Sequence, residues 1–233
     1  MLTTVLTAFH HLFAELLDLV LPAVCAGCGG PGRLWCARCA ALFAHPHWVA
    51  ELPGVPPTVA AGDYTGPLRQ ALLAYKERGQ HRLVEPLAQM LASAVLASDR
   101  APPSCWLVPA PSRPAAARAR GGDHMHALAS VLAQLLARVP GARIGMSPAL
   151  RMRSGVLDSV GLDAAARCAN LRGRLVARLD QLPPRGVGVL LVDDVVTTGA
   201  TLRTCVAALT AVGVPVLGAV TLCDATGAHR HPP

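Results

Sequence analysis

Aromatic side chains are scarce in this sequence. Two Tyr, three Phe and three Trp in 233 residues are too few for the stacking platforms on which single-strand binders lay successive bases, which argues against a sequence-reading DNA binder. Lysine is scarcer still: Lys76 is the one lysine among 21 basic residues, and the rest are arginine. No Lys or Arg precedes Arg33, so the leading apolar run lacks the positive flank of a secretory signal. That run also lacks the unbroken apolar length of a membrane span, because His10, His11, Glu15 and Asp18 fall inside it. The expectation is a cytoplasmic protein without a membrane span. Gly-Lys-Ser and Gly-Lys-Thr are both missing, which removes a Walker A loop. No internal repeat is visible.

What is present is apolar and basic. Hydrophobic residues make up 52% and charged ones 15%, with mean hydropathy +0.42, so global disorder is excluded. The length suits one main domain with an attached module. The net charge of +7 is carried by arginines, whose planar forks suit phosphate, and this favours an anionic ligand or nucleic acid. In the first 21 residues, Thr4, Thr7, His11, Glu15 and Asp18 form a polar stripe opposite Leu2, Val5, Phe9, Leu12, Leu16 and Leu19. This is the pattern of an amphipathic helix stopped near Pro22, with the main domain or a second copy of the chain as its docking partner, which makes a homodimer one expectation.

Four of the eight cysteines stand together as Cys25, Cys28, Cys36 and Cys39, in the spacing C-x2-C-x7-C-x2-C around a glycine-rich loop. Two such knuckles wrap a tetrahedral ion, and four thiolates match structural zinc, with no coordination position left open for chemistry. A disulfide pair is the weaker alternative in a chain without an export signal. Cys105, Cys168, Cys205 and Cys223 are scattered and read as small buried hydrophobes. Residues 44–57 carry Pro46, Pro53, Pro56 and Pro57 with little periodicity and read as a linker. The boundary is placed there: 1–50 as helix and zinc module, 51–233 as the main domain. Beyond it, helices are expected over Pro67–Gly79, Leu83–Leu96 and Met125–Arg138, and a strand over Trp106–Val108. This alternation indicates an α/β domain with a mostly parallel sheet flanked by helices.

The most informative stretch is Gly188–Leu202, G-V-L-L-V-D-D-V-V-T-T-G-A-T-L. Val189–Val192 read as a buried strand, Asp193 and Asp194 stand at its carboxyl end, and a small-residue loop leads into a helix over Ala200–Val212. A parallel sheet presents ligands at the carboxyl ends of its strands, where the following helix aims unpaired N–H groups at an anion. Thr197, Thr198, Gly199, Ala200 and Thr201 can thus cradle a phosphate. The two aspartates would stand a few ångströms away, accepting from ribose hydroxyls or holding magnesium through water.

Joined in this order, strand, acid pair, loop and helix resemble the 5-phosphoribosyl 1-pyrophosphate (PRPP) signature of type I phosphoribosyltransferases. Further motifs are similar to the ComF family of competence and DNA-uptake proteins. They are the cysteine knuckles after a Leu-rich helix, Tyr64–Arg69 followed by Tyr75–Gly79, Val108–Pro111 with Arg113, Arg118, Arg120 and Gly121, and Gly161-Leu162 with Arg167 and Asn170. The resemblance implies a type I phosphoribosyltransferase-like fold behind a small zinc module. It also implies a pyrophosphate loop neutralised by Arg113, Arg118 and Arg120, Lys76 among the PRPP-binding residues, and a flap over Met152–Arg172 carrying Arg167 and Asn170. Candidate catalytic residues are Asp193, Asp194 and Arg120.

Departures from the family pattern bear on the acceptor. Arg120-Gly121-Gly122-Asp123-His124 replaces a run with an aromatic and an amide, and Ser159 stands where glutamine is common. Thr197 occupies the position at which 6-oxopurine transferases carry a carboxylate base, and a hydroxyl cannot take that role. Two functions are therefore expected. One is magnesium-assisted transfer of ribose 5-phosphate from PRPP to an acceptor. The other is a PRPP sensor or docking protein of a DNA-uptake machine, with a helicase or translocase as partner and weak, non-specific single-stranded DNA binding.

Overall fold

The computed structural model describes residues 24–42, 45–98, 104–112, 123–152, 175–227 and 229–230. The expected amino-terminal amphipathic helix, the arginines Arg113, Arg118 and Arg120, Cys168, and the residues Ser159, Gly161, Leu162, Arg167 and Asn170 of the expected flap lie outside these residues.

Chain order begins with a short helix α1 (Ala37–Leu42) and strand β1 (His47–Val49). Strand β2 (Thr58–Asp63), helix α2 (Gly66–Glu77), helix α3 (Val84–Ala97) and strand β3 (Ser104–Pro109) follow. Helix α4 (His124–Leu136) and strands β4 (Arg143–Met146), β5 (Leu150–Met152), β6 (Leu175–Ala177) and β7 (Val189–Val196) come next. Helix α5 (Ala200–Thr210) and strands β8 (Val216–Asp224) and β9 (His229–Arg230) complete the series. Each helix expected beyond residue 51 is present, shifted by a residue or two at its ends, where fraying and capping set the limits.

Among the described residues, seven strands form one sheet in the order β4-β3-β7-β8-β2-β1-β9. The five from β4 to β2 are mutually parallel, and β1 runs antiparallel to both β2 and β9. The fold is therefore the expected α/β arrangement of a mostly parallel sheet with helices on both faces. Alternation along the central strands assigns each residue to a face. Leu190 and Val192 join the core beneath α2, α3 and α4, together with Leu68, Leu87, Leu91 and Leu128. Val189 and Leu191 join the core beneath α5, with Leu202, Cys205 and Leu209. A strand buried on both faces must be apolar throughout, which is why the run Val189–Val192 carries no polar residue.

Two expectations are corrected. The acids were placed just beyond the central strand, but β7 continues through them to Val196, with Asp193 opposite Thr221 and Val196 opposite Asp224. The neighbouring β8 is long enough to keep pairing, and this outweighs the local preference of aspartate for turns. The stretch 44–57, read as a linker, supplies β1, whose His47 and Trp48 pair with Ala60 and Val59. Three residues between prolines are too few to show alternation, and the pairing is a tertiary decision. Strands β5 and β6 form a separate antiparallel pair with Met152 opposite Leu175.

Candidate functional site

The connection leaving β3 runs through α4 to β4 on one side, and the connection leaving β7 runs through α5 to β8 on the other. The carboxyl ends of β3 and β7, paired as Pro109 with Val192, thus mark a topological switch point. A crevice opens at such a point because the two following loops diverge. Ala110–Ser112 leave from β3 at this crevice and Thr197–Gly199 from β7.

The acid pair is split across the sheet by the two-residue period of the strand. Asp194 points to the face of α2 and α4, where its Oδ2 lies 2.6 Å from Lys76 Nζ and 3.2 Å from His124 Nε2. Burial opposes the charge of Asp194, but the hydrogen bond from His124 and the Lys76 ammonium outweigh it and hold the carboxyl below its usual range. Asp193 points to the face of α5, is 7% exposed, and accepts a 2.9 Å hydrogen bond from the Asp194 backbone N–H. Desolvation, and then the neighbouring Asp194 charge, push its carboxyl above the ordinary value. The same buried carboxyl helps to raise the Cys205 thiol, for which burial is the larger cause.

Gly199 forms the N-cap of α5 in a left-handed conformation, φ 69. A Cβ there would lie 2.5 Å from Val55 Cγ2 and 3.0 Å from Leu52 Cδ1, so glycine is needed both for the turn and for the close approach of residues 52–55. Arg203 in the first turn donates to the Pro53 carbonyl at 3.0 Å, pinning that segment to the helix. No side chain caps α5, which leaves its first-turn N–H groups available to an anion. Thr197 and Thr198 are exposed, Gly199 is buried, and Ala200 and Thr201 are half-buried.

Around Asp194 the structure gathers residues to which the sequence assigned no role in the site. Asp123 caps α4 by accepting from the Met125 and His126 N–H groups. His124, 7% exposed, packs edge-on to the Tyr75 ring, and Tyr75 Oη donates to the His124 carbonyl at 2.8 Å. Ser112 Oγ lies 3.1 Å from Asp123 Oδ1 and 3.3 Å from His124 Nδ1. The one available signal was an Asp-His at a helix start beyond a strand. Of the expected site residues, Lys76 and Asp194 are in direct contact, and Thr197–Thr201 lie on the same crevice from the adjoining loop. A second group, His47 between Asp224 (3.4 Å) and Asp63 (3.7 Å), ties β1 to the ends of β8 and β2.

The four cysteines expected to bind metal come together. Their Sγ atoms all lie within 4.8 Å of one another, with Cys25 to Cys39 at 3.7 Å and Cys28 to Cys36 at 3.8 Å. A tetrahedron with zinc–sulfur bonds of about 2.3 Å has edges of about 3.8 Å, so the donor set fits zinc in kind and in size. Backbone N–H groups of Cys36 and Cys39 point at the sulfurs of Cys25 and Cys36. Burial opposes the thiolate at Cys25, but the N–H groups of Cys28, Cys36 and Gly27 outweigh it and lower its pKa. Gly27 is required because a Cβ there would meet Trp35 at 2.8 Å and Pro67 of α2 at 2.9 Å. The module therefore rests on the main core, against which Ala26, Leu34 and Trp35 also pack. The scattered cysteines Cys105, Cys205 and Cys223 are buried, as expected.

Residues 162–232 match the family of the phosphoribosyl transferase domain, a span that contains β7, the loop, α5 and β8. No curated protein matches the chain. Among the described residues, no helix is long and apolar enough to cross a membrane.

Proposed function

We propose that this protein binds PRPP with magnesium in the β3–β7 crevice and transfers its ribose 5-phosphate to an acceptor, releasing pyrophosphate. The carrying observation is the exposed Thr197-Thr198 loop, three residues beyond Asp194, with the uncapped α5 amino terminus that follows it, within the matched phosphoribosyl transferase domain. In this reading the 5-phosphate takes the N–H groups of Gly199, Ala200 and Thr201 with the hydroxyls of Thr197, Thr198 and Thr201. Asp194 accepts from a ribose hydroxyl, and Asp193 holds the Asp194 backbone from the opposite face. Arg113, Arg118 and Arg120 take the pyrophosphate, and Arg167 and Asn170 belong to the flap. Magnesium supplies charge neutralisation of the leaving pyrophosphate. Zinc held by Cys25, Cys28, Cys36 and Cys39 is structural.

The resemblance to ComF proteins supports a role for this activity in DNA uptake, with a helicase or translocase as partner. Thr197 at the position of the purine base catalyst favours an acceptor other than a 6-oxopurine, and it leaves a PRPP-binding sensor as the second reading. Calorimetry with PRPP and magnesium on the full chain tests the shared binding step. No binding up to millimolar concentration removes both readings. Pyrophosphate release in the presence of bases, amines or nucleic acids separates enzyme from sensor.

A further inference from the structure

Asp194 has a crowded oxygen and an open one. Its Oδ2 receives both Lys76 Nζ and His124 Nε2, whereas Oδ1 makes no hydrogen bond among the described residues. Two donors on one atom stop the carboxylate from turning, which it could otherwise do freely at a strand end. The imidazole is itself held. Tyr75 packs against its ring at 5.9 Å between centroids and binds its carbonyl, and Ser112 lies against Nδ1.

We infer that His124 is a positioning residue for the sugar-facing acid: with Lys76 it saturates Oδ2 of Asp194 and leaves Oδ1 for a ribose hydroxyl, so that sugar binding depends on an imidazole supplied across the crevice. This role rests on the PRPP reading above and assigns a function to a residue outside the phosphate loop. It also moves Lys76 from the phosphate to the acid, since the ammonium is already paired.

Proton bookkeeping follows from the contacts. An ionised carboxylate only accepts, so Nε2 must carry a hydrogen. Asp123 Oδ1, which also receives the two cap N–H groups at 3.0 and 3.4 Å, takes the Ser112 hydroxyl hydrogen at 3.1 Å, so the cap holds Ser112 Oγ in place 3.3 Å from Nδ1. Ser112 belongs to the loop after β3, His124 to α4 and Asp194 to β7. The chain Ser112–His124–Asp194 therefore spans the crevice and couples the pyrophosphate-side loop to the ribose-side acid. A purely structural histidine at this depth would need one partner for its polar nitrogen, not a shared oxygen at the rim of the site.

The test is calorimetry on the full chain with ribose 5-phosphate and inorganic phosphate, alongside histidine nitrogen spectra of the ligand-free protein. His124→Ala is expected to lower affinity for ribose 5-phosphate about tenfold and to leave inorganic phosphate unchanged, because phosphate uses only the α5 amino terminus. His124→Gln, whose amide can donate to Oδ2, should recover most of the loss. Ser112→Ala, a milder change that keeps the fold, should lower sugar phosphate binding less than His124→Ala does. The spectrum should show a hydrogen of His124 on Nε2. Equal loss for both ligands, an unchanged sugar phosphate affinity, or a hydrogen on Nδ1 alone each overturns the inference. Wild type that binds inorganic phosphate and not ribose 5-phosphate overturns the PRPP reading, and the sugar role of His124 falls with it. Wild type that binds both while the variants match it refutes the positioning role alone.

Discussion

Adjacent aspartates on one strand have opposite relations to pH. Asp193 has its native pKa raised above the ordinary 3.8 by burial and by Asp194, so the native state holds its proton longer than the unfolded chain. Its contribution falls as pH climbs above the unfolded value, and the cost persists at neutral pH. Asp193→Asn is therefore expected to raise stability at pH 7 by about 0.5–2 kcal/mol and to change little at pH 3, as thermal melts across pH would show. Asp194 has its native pKa lowered by His124 and Lys76, so its contribution is present above the ordinary carboxylate pKa and is lost as pH falls through the native value. Asp194→Asn should cost about 1–3 kcal/mol at neutral pH and abolish ribose 5-phosphate binding. Calorimetry and melts on the same samples separate the two variants. At this scale the acid pair was legible in the sequence as two charges directly after four apolar residues, although the strand runs on through them to a buried Val196. Its division between faces, and the partners Lys76 and His124, were not legible.

At the scale of elements, the loop between β7 and α5 works only if Gly199 holds its turn. Gly199→Ala adds left-handed strain and drives a methyl to 2.5 Å from Val55, with an expected cost of about 1–3 kcal/mol and loss of inorganic phosphate binding. Adding Val55→Ala should return part of the stability by removing the contact, while leaving the strain of φ 69. A melt of single and double variants checks both halves of that claim. Residues 52–55 thus form the floor of the β7–α5 loop, and the segment between the cysteine module and β2 supports it. Proline density indicated a linker, since neither β1 nor the Arg203–Pro53 contact leaves a periodic trace in so short a stretch.

For the whole molecule, the cysteine module and the sheet share packing through Gly27, Leu34, Trp35 and Pro67. A structural zinc site contributes about 10–16 kcal/mol of apparent binding energy to whatever folds around it. Metal analysis should find about one zinc per chain. Removing it with a chelator, or by Cys36→Ala, should lower the melting temperature of the sheet as well as of the module, in one transition. Two separate transitions would mean that the contact at Pro67 carries no coupling. Net charge of +7 with few aromatics sets the expectation for single-stranded DNA: weak, indifferent to sequence and steeply weakened by salt. Titrations at several salt concentrations and on unrelated sequences measure both properties.

The sequence alone determined whatever is local in the chain. The cysteine spacing, the apolar strand, the acid pair and the small-residue loop each need only near neighbours to take their geometry, and they pointed to a four-thiol cluster and a phosphate loop on an α/β sheet. Tertiary structure decided what depends on pairing across long separations. Long-range pairing with β8 carried β7 through its acids, strand order opened the crevice between β3 and β7, and residues 52–55 were set beneath Gly199. Most of all, it brought Ser112, His124 and Lys76 to one side of Asp194. Contacts between residues dozens of positions apart follow from the stacking of helices on a sheet face, and no spacing in the sequence encodes them.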